Sequence, residues 1–278
     1  MTRRAAVLGS PIAHSLSPLL HRAAYAELGL PDWSYDAHDV AAPGLAGFLD
    51  QLDESWAGLS LTMPLKAAVL TLVDSASPLV GEVGAANTVL LGPDGRRGEN
   101  TDVPGMVAAL HEHGVTGVAW ACVFGGGATA SAALAALSVL GERTPHVLVR
   151  DRARAEALMR AADRMGTDPQ VDDWSGRSVR AAAEAELVIA TTPAGSTDRL
   201  VAELPDRVHG VLFDVVYDPW PTPLATAWLA RGGSVIGGLD LLVHQAVLQV
   251  ELMTGETAAR DRLVAALRAA GERSLRRA

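Results

Sequence analysis

Val118-Ala119-Trp120-Ala121-Cys122-Val123-Phe124-Gly125-Gly126-Gly127-Ala128-Thr129-Ala130 decides the fold. Its first seven residues form an unbroken apolar run, the pattern of a strand in a parallel sheet covered on both faces. Gly125 to Ala130 then match G-x-G-x-x-A, and an alanine-rich segment to Leu140 reads as a helix. Glycines in that place permit a tight turn and the close approach of a pyrophosphate to the helix N-terminus. The match carries weight because a strand precedes it and a helix follows. His146 to Val149 is the next strand, ending at Arg150-Asp151-Arg152, where such folds read the adenosine ribose. Leu187 to Ala190 and Val211 to Asp214 read as further strands. The chain is therefore α/β, with a Rossmann-like dinucleotide-binding unit over residues 104–238.

Upstream, Ala5 to Leu8 reads as a buried strand running into the loop Gly9 to Pro18. Ser17 and Pro18 are expected as N-cap and first residue of a helix reaching Gly29. Trp33 to His38 reads as a strand and Pro43 to Leu52 as a helix. Leu59 and Leu61 end a short buried strand, and Pro64 biases Met63 toward an extended conformation. From Lys66 the apolar spacing turns helical. Thr62 and Lys66 thus stand where a strand hands over to a helix, a common place to present polar groups to a small ligand. A lysine there is either a proton-transfer group tuned by a neighbour or a solvated charge at a helix end. A helix from Pro78 to Val83, a turn at Gly84 to Ala86, a strand from Asn87 to Leu91 and a turn at Pro93 to Gly95 follow. Gly98 to Asp102 closes the segment. Asn87 and Asp102 lie at element edges, where turn formers and ligand contacts both occur. Leu239 to Thr254 and Glu256 to Glu272 read as helices without strands of their own. They are expected to pack back on the first domain, so residues 1–103 with 239–278 form one discontinuous substrate domain.

The 278 residues carry a formal net charge of −9 and no basic run, which argues against nucleic acid as a partner. The single cysteine, Cys122, permits no disulfide framework and fits a reducing cytoplasm. Four apolar residues before Gly9 are too few for a signal-peptide core. The longest helical apolar run, Ala128 to Leu140, is shorter than a membrane span, so no membrane partner is expected. No metal is expected, and a homodimer is the assembly allowed for.

Together these segments resemble the shikimate dehydrogenase family across nearly the whole chain. Gly9 to Pro18 matches the family's G-x-P-I-x-H-S-x-S-P, and Ser60 to Lys66 stands for its N-V-T-x-P-x-K. Gly84 to Thr88 matches G-A-x-N-T, and Asn100 to Asp102 matches N-T-D. Tyr217-Asp218-Pro219 and the late helix Leu241 to Ala246 also match. The resemblance implies that Lys66 and Asp102 are the catalytic pair. It implies that Ser15, Ser17, Thr62, Lys66, Asn87, Asp102, Tyr217 and Gln245 hold shikimate. It assigns the cofactor to Gly125, Gly126, Gly127, Ala128, Thr129, Ala130, Arg150, Asp151, Arg152, Thr192 and Gly238. The implied reaction is reversible hydride transfer between NADPH and the 3-keto group of 3-dehydroshikimate, a small-molecule substrate.

The chain departs from the family pattern at several points. Ser60 replaces the usual asparagine and Leu61 the usual valine; both are expected to serve strand packing, and Ser60 is placed to alter the pocket floor. Ala128 replaces a clustered glycine, so a tighter phosphate loop is expected. Asp151 stands at the family's threonine among the cations Arg150, Arg152 and Arg154. A carboxylate can accept from the 2′-hydroxyl of NAD but repels the 2′-phosphate of NADP. Asp151 is expected to cap the following helix, leaving the arginines to select NADP, with NAD as the other possibility. A quinate/shikimate dehydrogenase using NAD, an aminoshikimate dehydrogenase and a dinucleotide-binding regulator without turnover are the competing readings. The regulator predicts loss of Lys66 or Asp102, and both are present. A folate-type dehydrogenase also pairs a lysine-bearing domain with a Rossmann unit, without requiring the Ser15 and Ser17 motif.

Overall fold

The structure, a computed structural model, describes residues 2–276, without the side chains of residues 153 and 154. The chain divides into two compact units, Met1–Gly105 with Leu242–Ala278, and Met106–Leu241. The first unit begins β1 (Arg3–Gly9), α1 (Ser17–Glu27), β2 (Trp33–Asp39), α2 (Leu45–Leu49), β3 (Trp56–Leu61) and α3 (Leu65–Ala68). It continues through β4 (Ser75–Ala76), α4 (Pro78–Val83), β5 (Thr88–Gly92), β6 (Gly95–Glu99) and α5 (Asp102–Glu112), which leads into the second unit. That unit holds β7 (Ala121–Phe124), α6 (Ala128–Val139), β8 (His146–Val149), α7 (Glu156–Met165), β9 (Gln170–Asp173), α8 (Gly176–Ala182), β10 (Leu187–Ala190), β11 (Val211–Asp214), α9 (Pro223–Ala230) and β12 (Ser234–Ile236). Then α10 (Gly238–Thr254) and α11 (Arg260–Leu275) return to the first unit, α11 packing against α1. No helix among the described residues is long and apolar enough to cross a membrane.

The second sheet has the order β12-β11-β10-β7-β8-β9, with every neighbouring pair parallel. This is the doubly wound order, which reverses between β7 and β10. The apolar run predicted over residues 118–124 shortens to β7, all of it buried. Helix α6 is apolar on nearly every side and buried from Ala130 to Leu137, because its alanines let it lie close to the sheet. Sequence reading missed β9 and β12. The first carries Asp172 and Asp173, and the second is three residues long, so neither shows the apolar run of an inner strand.

The first sheet has the order β2-β1-β3-β5-β6-β4. Strand β1 pairs parallel with β2 and β3, while β5 runs antiparallel to both β3 and β6. Its core joins Leu8, Leu59 and Val89 of the sheet to Leu45, Leu65 and Val80 of the helices. Sequence reading took Gly98 onward as a closing segment, but β6 spans the preceding glycine and arginines. Ladder bonds from β5, rather than apolar side chains, hold it. The helix expected over Pro43 to Leu52 is a 3₁₀ turn, Ala42–Gly44, followed by the short α2. Ser17 is not the N-cap of α1. Leu16 occupies that position, and the Oγ of Ser15 accepts the Ser17 N–H at 3.3 Å. Ser15 therefore has a local structural partner.

One buried group makes stability depend on pH. The His21 ring of α1 lies against Tyr35 of β2, with centroids 3.9 Å apart and planes 19° from parallel. Its Nδ1 donates to the Ser17 carbonyl at 3.0 Å, and its Nε2 is buried without a partner among the described residues. Burial pulls the His21 pKa down from 6.5 to about 4. Between those values the unfolded chain binds a proton that the folded chain refuses. The stabilisation is therefore complete above pH 6.5 and lost as pH falls toward 4. Urea unfolding is expected to lose about 2 kcal/mol through this group between pH 7 and pH 5. His21→Phe, which keeps a stacking ring, is expected to flatten that slope; an unchanged slope would assign it to other groups.

Candidate active site

The first sheet gathers the predicted residues at one end. Parallel pairing of β1 with β3 sets the loops after Gly9 and Leu61 side by side. Ser10 N–H donates to Met63 O at 3.0 Å, and Thr62 N–H to Leu8 O at 2.9 Å. The Ser10–Pro11 and Met63–Pro64 peptide bonds are both cis. Antiparallel pairing brings the start of β5 and the end of β6 to the same place, opposing Ser60 to Thr88 and Thr88 to Glu99. Asn87 and the Asn100–Asp102 segment follow from that register. Lys66 is held from behind, since its carbonyl accepts the Ala86 N–H at 2.8 Å.

Lys66 and Asp102 meet there. Lys66 Nζ donates to Asp102 Oδ2 at 2.6 Å, with side chains only 15% and 7% exposed. The lysine is thus neither solvated nor alone. Asp102 is the first residue of α5, where the helix dipole favours a negative charge. Asn100 Oδ1 accepts the N–H groups of Asp102 and Val103 at 3.0 and 3.2 Å and caps that helix. The other carboxylate oxygen, Asp102 Oδ1, accepts from Asn87 Nδ2 at 2.9 Å. Asn87 Nδ2 also faces Thr101 Oγ1 at 2.9 Å and Gln245 Oε1 at 3.3 Å. Lys66, Asn87, Asp102 and Gln245 therefore form one hydrogen-bonded cluster. Thr62 sits against Gly9, whose missing Cβ leaves room for the Thr62 methyl group. Ser15 and Ser17 lie at the start of α1, and Tyr217 belongs to the other unit, after β11.

In the second unit Gly125 opens the phosphate-type turn at φ +124°, a conformation that favours glycine. A Cβ there would meet Thr191 Oγ1, and Thr192 Cγ2 lies 3.3 Å from the same point. This turn lies beside the reversal of strand order, where open α/β sheets bind ligands. Gly127 is the N-cap of α6 and offers no side-chain cap, so the first-turn N–H groups keep their donor capacity. Ala128, Thr129 and Ala130 open the helix itself. Gly238, at the start of α10, packs on the Val215 and Val216 backbone, where a Cβ would not fit. After β8, Arg150 Cζ lies 5.8 Å from the centroid of the Trp174 ring. Arg199 Cζ reaches the same indole at 5.2 Å. No motif pointed to Arg199 or Trp174; only the fold brings them to the strand end. Arg152 is paired with Asp172 at 2.9 Å, and the Arg154 side chain lies outside the described residues. Asp151 directly precedes the 3₁₀ turn Arg152–Ala155, which runs into α7, and Ala155 holds the N-cap position of α7.

The shikimate dehydrogenase substrate-binding domain model matches residues 7–89, and the shikimate 5′-dehydrogenase C-terminal domain model matches residues 238–268. A shikimate dehydrogenase (NADP(+)) of Methylobacterium radiotolerans is 38% identical over 96% of this chain and 98% of its own. This chain belongs to the shikimate dehydrogenase family. Among solved structures, the Mycobacterium tuberculosis shikimate dehydrogenase is 40% identical with a TM-score of 0.87, covering 96% of this chain and 99% of that one. The Thermus thermophilus shikimate 5-dehydrogenase, solved in complex with NADP(H) and shikimate, is 33% identical with a TM-score of 0.82 over 97% of this chain and 100% of that one. In this family member Leu242–Ala278, which carries most of α10 and all of α11, belongs to the first unit.

Gly105 is a supporting residue that no motif announced. A Cβ there would lie 2.9 Å from Gln245 N and 3.0 Å from Gln245 Cβ, so α5 and α10 cross in backbone contact. That crossing sets how far Gln245 reaches toward Asn87. Gly105→Ala is expected to cost about 1–3 kcal/mol by overpacking, read as a lower urea midpoint at constant m-value. An unchanged midpoint would mean that the helices part without penalty.

Proposed function

We propose that this protein is a shikimate dehydrogenase that reversibly reduces 3-dehydroshikimate to shikimate with NADPH. The observation that carries the proposal is the shielded Lys66–Asp102 pair joined to the amides of Asn87 and Gln245. Reduction of a ketone leaves an alkoxide that needs a proton. A lysine ammonium aimed at that oxygen can supply the proton or stabilise the charge. Asp102 holds the ammonium in place and offers an acceptor to a neighbouring ring hydroxyl. Asn87, Gln245 and Thr62 provide the paired donors and acceptors that a polyol needs. Ser15 and Ser17 supply hydroxyl groups for the substrate carboxylate without a buried arginine.

The uncapped first turn of α6 and the close Gly125 turn fit a dinucleotide pyrophosphate. When bound, NADPH supplies the hydride. Residues 104–238 are the segment we assign to it, with Gly125 to Ala130, Thr192 and Gly238 around the pyrophosphate and nicotinamide. Arg150, Asp151 and Arg152 are assigned to the ribose phosphate. The single cysteine, Cys122, is buried, and burial pushes its pKa up and keeps the thiol unreactive; we assign the enzyme to a reducing cytoplasm because one cysteine builds no disulfide framework.

The first test is absorbance at the reduced-nicotinamide band with shikimate and quinate, each against NADP and NAD. Turnover of shikimate is expected; folded protein that binds dinucleotide without turnover would favour the regulator. Lys66→Ala is expected to lower kcat ~10²–10⁴-fold. Asp102→Asn should impair turnover as well, and the two losses should not add, because the groups act as one unit. A rise in KM alone would make Lys66 a binding residue. For the cofactor, NADP is expected to be preferred, and Arg150→Ala to lower kcat/KM for NADP about tenfold or more with less effect on NAD. Outright NAD preference in the wild type would identify Asp151 as the ribose reader.

A further inference from the structure

We infer that Gln249 is a positioning residue for this site, setting the orientation of the Asn87 amide through a one-way chain of buried hydrogen bonds. The inference rests on the dehydrogenase reading. Gln249 lies on α10, one helical turn beyond Gln245. Its Nε2 donates to the Asn87 carbonyl at 3.1 Å and to Thr88 Oγ1 at 2.9 Å. Its Oε1 accepts from Ser60 Oγ at 2.8 Å, and Ser60 Oγ accepts from Tyr35 OH at 2.6 Å. Asn87, Thr88, Ser60, Tyr35 and Gln249 are each at most 4% exposed, so water cannot replace a lost partner.

The direction of each bond in the chain through Gln249 follows from one atom. The Asn87 carbonyl can only accept, so the amide nitrogen of Gln249 must face it. Gln249 Oε1 then faces Ser60, whose single proton is spent on it. Ser60 can therefore only accept from Tyr35, whose hydroxyl burial keeps protonated. Thr88 Oγ1, receiving the other Gln249 proton, gives its own to Asn87 Oδ1 at 2.9 Å. The Thr101 N–H donates to the same oxygen at 2.8 Å. With its oxygen claimed on that side, the Asn87 amide must turn its NH₂ toward Asp102 Oδ1. A reversed amide would set an oxygen against the carboxylate that holds Lys66. Ser60 is thus more than strand packing: where the family carries an asparagine, this chain carries the link between Tyr35 and Gln249.

The test is a double-mutant cycle on shikimate oxidation with NADP, using Gln249→Met, Asn87→Ala and the pair, with melting temperatures measured alongside. Gln249→Met is expected to lower kcat about tenfold, with KM for NADP unchanged, and to lower it no further when Asn87 is already alanine. A kcat within twofold of wild type beside a lowered melting temperature would overturn the inference and leave the chain purely structural. An equal fall in both backgrounds would overturn the route through Asn87. If Gln249→Met does not fold, Ser60→Ala removes the same acceptor's donor without bulk. A several-fold fall in kcat confined to the Asn87 background is then expected, and no fall overturns the inference. Wild-type protein that does not oxidise shikimate would instead sink the dehydrogenase reading, a separate outcome.

Discussion

The buried Lys66–Asp102 ion pair is the constraint on which the first unit depends. Taking either charge out of water alone costs several kcal/mol, on the order seen when one partner of a buried pair is deleted. The surroundings offset this cost. Asp102 has a helix N-terminus beneath it, lysine on one oxygen and the Asn87 amide on the other. Such an arrangement is weak evidence for stability, since an apolar pair of the same volume packs as well. Its value is chemical under the function we propose, because a charge held away from water is what an alkoxide needs at the moment it forms.

Sheet register does the assembly. The residues of the cluster are far apart in the chain, on β3's exit, before β5, after β6 and on α10. The antiparallel β5–β6 hairpin carries Asn87 and Asp102 to the same sheet end as Lys66. A slip of one residue would turn every side chain to the other face. Ser60, polar within the fully buried β3, then becomes intelligible as a hydrogen-bond link rather than a packing residue.

The second unit presents a different balance of forces. Surface ion pairs such as Arg152 with Asp172 contribute little because both groups stay solvated. The indole of Trp174 is instead a fixed apolar surface near two guanidinium groups, and it is anchored by its own N–H to the Leu148 carbonyl at 2.8 Å. Asp214, at the end of β11, is buried, and desolvation raises its pKa while Thr222 and the Val216 N–H pull the other way. These contacts order the segment that carries Tyr217.

Fold class and most of the chemical groups are legible in the order of the residues alone. An apolar strand entering Gly125-Gly126-Gly127 has few other stable uses, and the polar motifs sit at strand ends where turns had to fall. Lys66, Asn87 and Asp102 were legible as types at such ends, and Gln245 only through the family motif on the late helix. The tertiary structure alone decided which of them touch. It also decided that Leu16 takes the N-cap position of α1 and Ala155 that of α7. Strands β6, β9 and β12 were hidden because ladder bonds to neighbours, and not their own side chains, make them strands. Gln249, Gly105, Trp174 and Arg199 were invisible for a related reason. A glutamine, a glycine, a tryptophan or an arginine in a helix or loop acquires a role only from the partner that folding places beside it, and that partner is tens of residues or more away in the chain.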